Sequence, residues 1–125
     1  MSNRLKRINP IKPFCDCIIN LSFDKEQYNK TVKSKSSDET ILAHFGENGK
    51  AVWLENKENG SPYFIIGIFC DNIEIVSHEA SHITTHIMDY LGIKDDEFRA
   101  YMVGYITKEI CNRLYKETIN GNQTK

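Results

Sequence analysis

Nowhere in this 125-residue chain do the ~18 consecutive apolar residues of a membrane-spanning helix occur, and the polar opening residues lack the apolar core of a secretion signal. Charge of one sign is missing as well. Sixteen Lys and Arg stand against 17 Asp and Glu, for a formal net charge of -1, which excludes a surface dedicated to nucleic acid. Cysteines with knuckle spacing are also absent. Cys15, Cys17, Cys70 and Cys111 form no CxxC pair, so they imply neither a zinc knuckle nor a disulfide framework. Cys15 and Cys17 alternate with Asp16 ahead of Ile19 and Leu21, the pattern of small core residues on one strand face. These absences predict a cytoplasmic protein with one modest core and neither a membrane nor a nucleic acid as partner.

The organisation follows from turn and cap signals. Residues 1–12, with Arg4, Lys6, Arg7 and Lys12, read as a flexible basic arm, residues 13–119 as a single domain and 120–125 as a flexible tail. Phe14 to Leu21 is a predicted strand. Asp24 and Gln27 predict the capped start of a polar helix over 25–33, followed by a loop over 34–40. Two apolar runs, 51–55 and 63–69, flank the Asn59-Gly60-Ser61 turn and predict a hairpin. The segment from Gly49 to Glu55 is a candidate edge strand for pairing an extended peptide, with Trp53 as a pocket aromatic.

The residues that point to chemistry are His78-Glu79-Ala80-Ser81-His82. On a helix, HExxH projects both imidazoles from one face, ~6 Å apart at their bases, where they can reach one tetrahedral ion. Glu79 then stands beside the ion, placed to take a proton rather than to complete the chelate. The helix is supported on both sides. Asp71 and Glu74 read as a capping box, Gly92 as a left-handed cap, and Ile73, Val76, Ala80, Ile83, Ile87 and Leu91 as a core-facing stripe.

A catalytic zinc needs a third protein ligand. His86 lies ~12 Å along the helix from His78, too far to share an ion with it, and reads as a rim residue. The cluster Asp95-Asp96-Glu97 opens a second helix, with Asp95 as its N-cap and Asp96 in its first turn, which leaves Glu97 as the candidate ligand. Ala100, Val103, Ile106, Ile110 and Leu114 give that helix, predicted over 96–118 and ended by Asn120-Gly121-Asn122, its apolar face. Tyr101, His86 and His44 are the candidates for a hydrogen-bond donor to an oxyanion.

HExxH followed by a short turn and a second helix bearing Glu97-Phe98-Arg99-Ala100 resembles the gluzincin branch of zincin metallopeptidases. The compact spacing resembles the small intracellular zincin-like proteins of phages, prophages and bacterial immunity systems, and the likeness covers residues 62–106. It implies a minimal zincin-like α+β fold, with a small, mostly antiparallel sheet on the HExxH helix and the third ligand on the C-terminal helix. It also implies Zn2+ held by His78, His82 and Glu97. The expected activity is peptide hydrolysis through a zinc-bound water with Glu79 as general base, on a peptide or protein substrate. Larger relatives often carry an Asp one turn after the ligand Glu, where this chain has Tyr101. That departure frames the alternative, a catalytically inactive zinc-binding regulatory or interaction module of phage or mobile-element origin.

Overall fold

The computed structural model describes residues 5–10, 17–55 and 59–123, with side chains of the last helix described as far as Lys116. Four strands, β1 (Lys6–Ile8), β2 (Ile19–Ser22), β3 (Gly49–Glu55) and β4 (Pro62–Ile68), form one sheet in the order β1-β2-β4-β3. Two pairings are antiparallel, β1 with β2 and β3 with β4, whereas β2 and β4 run parallel. The sheet is therefore mixed and the fold α+β. Three helices accompany it, α1 (Lys25–Lys33), α2 (Ile73–Leu91) and α3 (Asp96–Gln123), with a short 3-10 turn at Glu39–Ile41.

β4 is an interior strand covered on both faces, and its sequence shows this as a run without polar alternation. Phe64, Ile66 and Ile68 pack with Val76, Ala80, Ile83 and Ile87 of α2 and with Met102, Ile106 and Ile110 of α3. Ile65 points the other way, towards Tyr28 and Val32 of α1 and Val52 of β3. Each fully buried Ile or Phe side chain contributes roughly 1.5–3 kcal/mol relative to exposure, so this double-sided strand is the centre of the core. Asn20, buried on β2, spans the parallel pairing by donating its amide to the Phe64 carbonyl at 3.1 Å.

Local signals hold where they were strongest. α1 begins at Asp24, whose carboxylate accepts from the backbone N–H groups of Glu26 and Gln27. α2 ends at Gly92 with φ 72°, the left-handed cap that a side chain resists. The start of α2 differs by one residue. Asn72, not Asp71, is the N-cap, accepting from Glu74 N–H at 2.8 Å. Ile73 is consequently at the exposed lip of the helix and outside the stripe, at 66% exposure, while Val76, Ala80, Ile83 and Ile87 are buried as expected.

Other expectations need correction. Lys6–Ile8 pairs with β2 and buries Ile8, so the sheet reaches into the segment read as a flexible arm. The strand expected from Phe14 to Leu21 occupies Ile19–Ser22, and residues 11–16, including Cys15, lie outside the described residues. Cys17 is buried, but Cys70 and Cys111 are only half-buried. α3 continues through Asn120-Gly121-Asn122 to Gln123. No described helix is long and apolar enough to cross a membrane.

Candidate functional site

α2 lies against β3, β4 and α3, and its stripe of buried residues leaves the opposite face to solvent. His78 and His82 occupy that face, both exposed. Their rings meet edge to face with centroids 4.6 Å apart, and the two Nε2 atoms are 3.1 Å from each other. With metal–nitrogen bonds of about 2.05 Å, that separation corresponds to an angle of roughly 98° at a shared ion, close to the tetrahedral value. The same 3.1 Å is the separation of a hydrogen bond between the two rings, so the pair is held together without an ion and is compatible in geometry with two adjacent corners of a metal site.

Glu79 sits on the flank of this pair that faces β3. It is buried, at 7% exposure. The start of β3 makes room for it, because a Cβ on Gly49 would lie 2.9 Å from Glu79 Cγ and 3.1 Å from Oε2. Burial raises the carboxyl's pKa above the ordinary range; His78, His82 and Lys50 pull it back, and the nearby Glu47 adds to the rise. A carboxyl that retains its proton more readily is suited to exchanging protons near neutral pH.

β3 ends the sheet on this side. The Phe69 N–H donates to Asn48 O in register with the hairpin, so alternate residues Lys50, Val52 and Leu54 bond to β4, and the backbone groups of Gly49, Ala51 and Trp53 turn to the free edge. His86 comes from α2 to that edge, where its ring lies near the Ala51 backbone. Burial, then His82, lower its pKa, against Asp89 and the Ala51 backbone. Trp53 is wedged among His86, Tyr90 and Phe64, with centroid separations of 6.4, 5.7 and 6.1 Å, so it fastens β3 to α2 more than it lines a pocket. Its indole Nε1 is buried without a hydrogen-bond partner.

Glu97 is not brought to the histidines. Among the described residues no group of three His, Cys, Asp or Glu side chains could hold a metal ion. The reason is the rotation of α3. Its buried stripe is Met102, Ile106 and Ile110, and at about 100° per residue Glu97 lies some 180° from Ile106. Glu97 is exposed, as are Ala100 and Tyr101, the latter at 76%. Asp95 is the N-cap as expected, accepting from the N–H groups of Glu97 and Phe98 at 2.8 and 3.4 Å. His44 is exposed on the loop before β3, its carbonyl accepting from Lys25 and its N–H donating to Glu47.

The α3 residue that does face α2 is Arg99. Its Nη1 donates to Thr85 Oγ1 and its Nη2 to Ser81 Oγ, each at 2.6 Å. Sequence reading missed it. The signal was present in Ser81 and Thr85, two small hydroxyl residues one turn apart on the flank of α2 opposite Glu79.

His78 and His82 therefore fit two corners of a zinc site, and the described residues do not supply a third protein corner. No protein-family model matches this chain, and no curated protein or solved structure does.

Proposed function

We propose that this chain is a zinc-dependent peptidase of the HExxH type, with His78 and His82 as metal ligands and Glu79 as the proton-transfer group. The observation that carries the reading is the 3.1 Å approach of the two Nε2 atoms beside a buried carboxyl of raised pKa. Zinc, when bound, supplies acidification of a water molecule and polarisation of the peptide carbonyl. Glu79 takes the proton of the attacking water and returns it to the leaving amine. The outward backbone groups of Gly49 and Trp53 offer an extended substrate the pairing partners of an edge strand, beside the histidines.

A second reading has its own support. The absence of a three-donor group among the described residues favours a zinc-binding module without turnover, in which the same fold serves an interaction.

Elemental analysis of tag-free protein, followed by a peptide-library digest, separates the two. About one zinc per chain is expected in wild type, lost in His78→Ala and His82→Ala and kept in Glu97→Ala and Glu79→Gln. Cleavage by wild type that disappears in zinc-loaded Glu79→Gln supports the peptidase. Zinc without cleavage supports the module. Wild-type protein that takes up no zinc after reconstitution overturns both, and loss of zinc in Glu97→Ala would overturn the two-histidine ligand set.

A further inference from the structure

A guanidinium normally faces a carboxylate when it is partly buried. Arg99 does not. It is half-buried between α2 and α3, its contacts are the two neutral hydroxyls of Ser81 and Thr85, and it makes no ion pair among the described residues. The hydroxyls orient the cation without neutralising it. Thr85 is itself fixed, donating its own proton to the Ser81 carbonyl at 3.2 Å, so the lone pair it presents to Arg99 is held in place. Two of the five N–H donors are used, which leaves Nε–H and one hydrogen on each terminal nitrogen for a ligand.

The placement relates this charge to the histidine pair. Around α2, at about 100° per residue, Thr85 lies some 20° from His78 and Ser81 some 60°, on the side away from Glu79. Along the axis Thr85 is only ~4.5 Å beyond His82. The exposed imidazoles are thus flanked by the buried carboxyl on the β3 side and by an oriented, unneutralised guanidinium on the α3 side.

We infer that Arg99 is the anion-recognition residue of this site, and that the ligand it takes is a peptide carboxylate lying across His78 and His82. A planar fork with free N–H groups matches a carboxylate's two oxygens, which a lone ammonium would not do. The carboxylate can belong to a peptide C-terminus or to an Asp or Glu side chain. The inference deepens the peptidase reading by naming the substrate's charge, and it rests on that reading only for its consequence in cleavage.

The test is a titration of metal-free wild-type protein, followed by NMR at the Arg99 side-chain Nε–H. The probes are N-acetyl-Ala-Ala against its C-terminal amide, and N-acetyl-Glu-amide against N-acetyl-Gln-amide. At least one acid is expected to bind tenfold or more tightly than its neutral partner and to shift the Arg99 resonance. Whichever acid discriminates identifies the source of the carboxylate. Arg99→Gln should abolish the preference and Arg99→Lys reduce it, with folding checked by circular dichroism. The Ser81→Ala, Thr85→Val double variant retains the charge but releases its orientation, and should reduce the preference too. Equal binding of both acids and their neutral partners in wild type, or a preference that survives in folded Arg99→Gln, overturns the inference. If Arg99→Gln does not fold, an unchanged preference in the double variant overturns it. Because metal is absent, a carboxylate preference in a protein that never binds zinc would sustain Arg99 while the peptidase reading fails.

Discussion

Replacing Gly49 by Ala tests whether β3 and the HExxH helix approach as closely as the site requires. The added Cβ would stand 2.8 Å from Ile75 Cγ2 and 2.9 Å from Glu79 Cγ. Relaxed carbon contacts are about 3.5–4.0 Å, so the gap must open by roughly 0.6–1.2 Å or Glu79 must turn aside. Neither atom is the loose end of an exposed chain, since Ile75 is packed against the core and Glu79 is buried. Overpacking of this kind costs about 1–3 kcal/mol, which lowers the melting temperature by roughly 3–6 °C per kcal/mol for a domain of this size. Zinc affinity should change little, because the atoms nearest the added Cβ belong to Ile75 and Glu79 and not to either histidine. Turnover should fall about 100-fold, the usual consequence of moving a reacting group by about 1 Å. Denaturant unfolding, a zinc competition assay and peptide cleavage read the three effects separately. A Gly49→Ala protein with the wild-type unfolding midpoint would refute the close approach. So would an equal penalty in a Glu79→Ala background, where truncation removes part of the clash and the two changes should couple by 0.5 kcal/mol or more.

Three further outcomes are expected. Glu79 has a raised pKa in the folded protein, so the stability it contributes is fully present below its unfolded pKa and is lost as pH rises through the folded value. Glu79→Gln, which resembles the protonated form, should therefore melt above wild type at pH 8, with the gap closing below about pH 4; a gap that widens in acid would contradict the assigned burial. Ile83→Ala, at a fully buried position of α2, should cost about 2–5 kcal/mol in urea unfolding, and a loss below 1 kcal/mol would mean that the helix does not pack as described. Asp95→Ala removes the acceptor for two α3 backbone N–H groups and should cost about 1 kcal/mol without altering zinc content.

What the sequence revealed was local. The limits of α1, the Gly92 cap, the β3–β4 hairpin and the buried face of α2 each depend on residues within one or two turns of each other, and each was legible. The parallel pairing of β2 with β4 joins Asn20 to residues more than forty positions away and has no local signature. The strand at Lys6–Ile8 was obscured by its charges, because a basic residue at a sheet edge looks the same in sequence as one in a tail. The rotation of α3 was misjudged for a related reason. Ala100 and Val103 suggested one apolar face, but the larger Met102 takes the core position with Ile106 and Ile110, which turns Glu97 outward and Arg99 inward. The histidine pair was legible because i and i+4 spacing fixes its geometry within the helix, whereas a ligand or a cation from another helix depends on packing.

The chain order of the elements has a consequence for how the protein comes to its native state. β3, β4, α2 and α3 follow one another without interruption and touch mainly their neighbours in sequence, whereas β1 and β2 join from a distant part of the chain by way of the parallel ladder. Short loops close sooner than long ones, so the carboxyl-terminal unit, which holds Gly49, the two histidines and Arg99, should be assembled before the amino-terminal strands dock. The exposed edge that β2 later covers, on Phe64 to Gly67, is then the surface most vulnerable to wrong pairing while the chain waits.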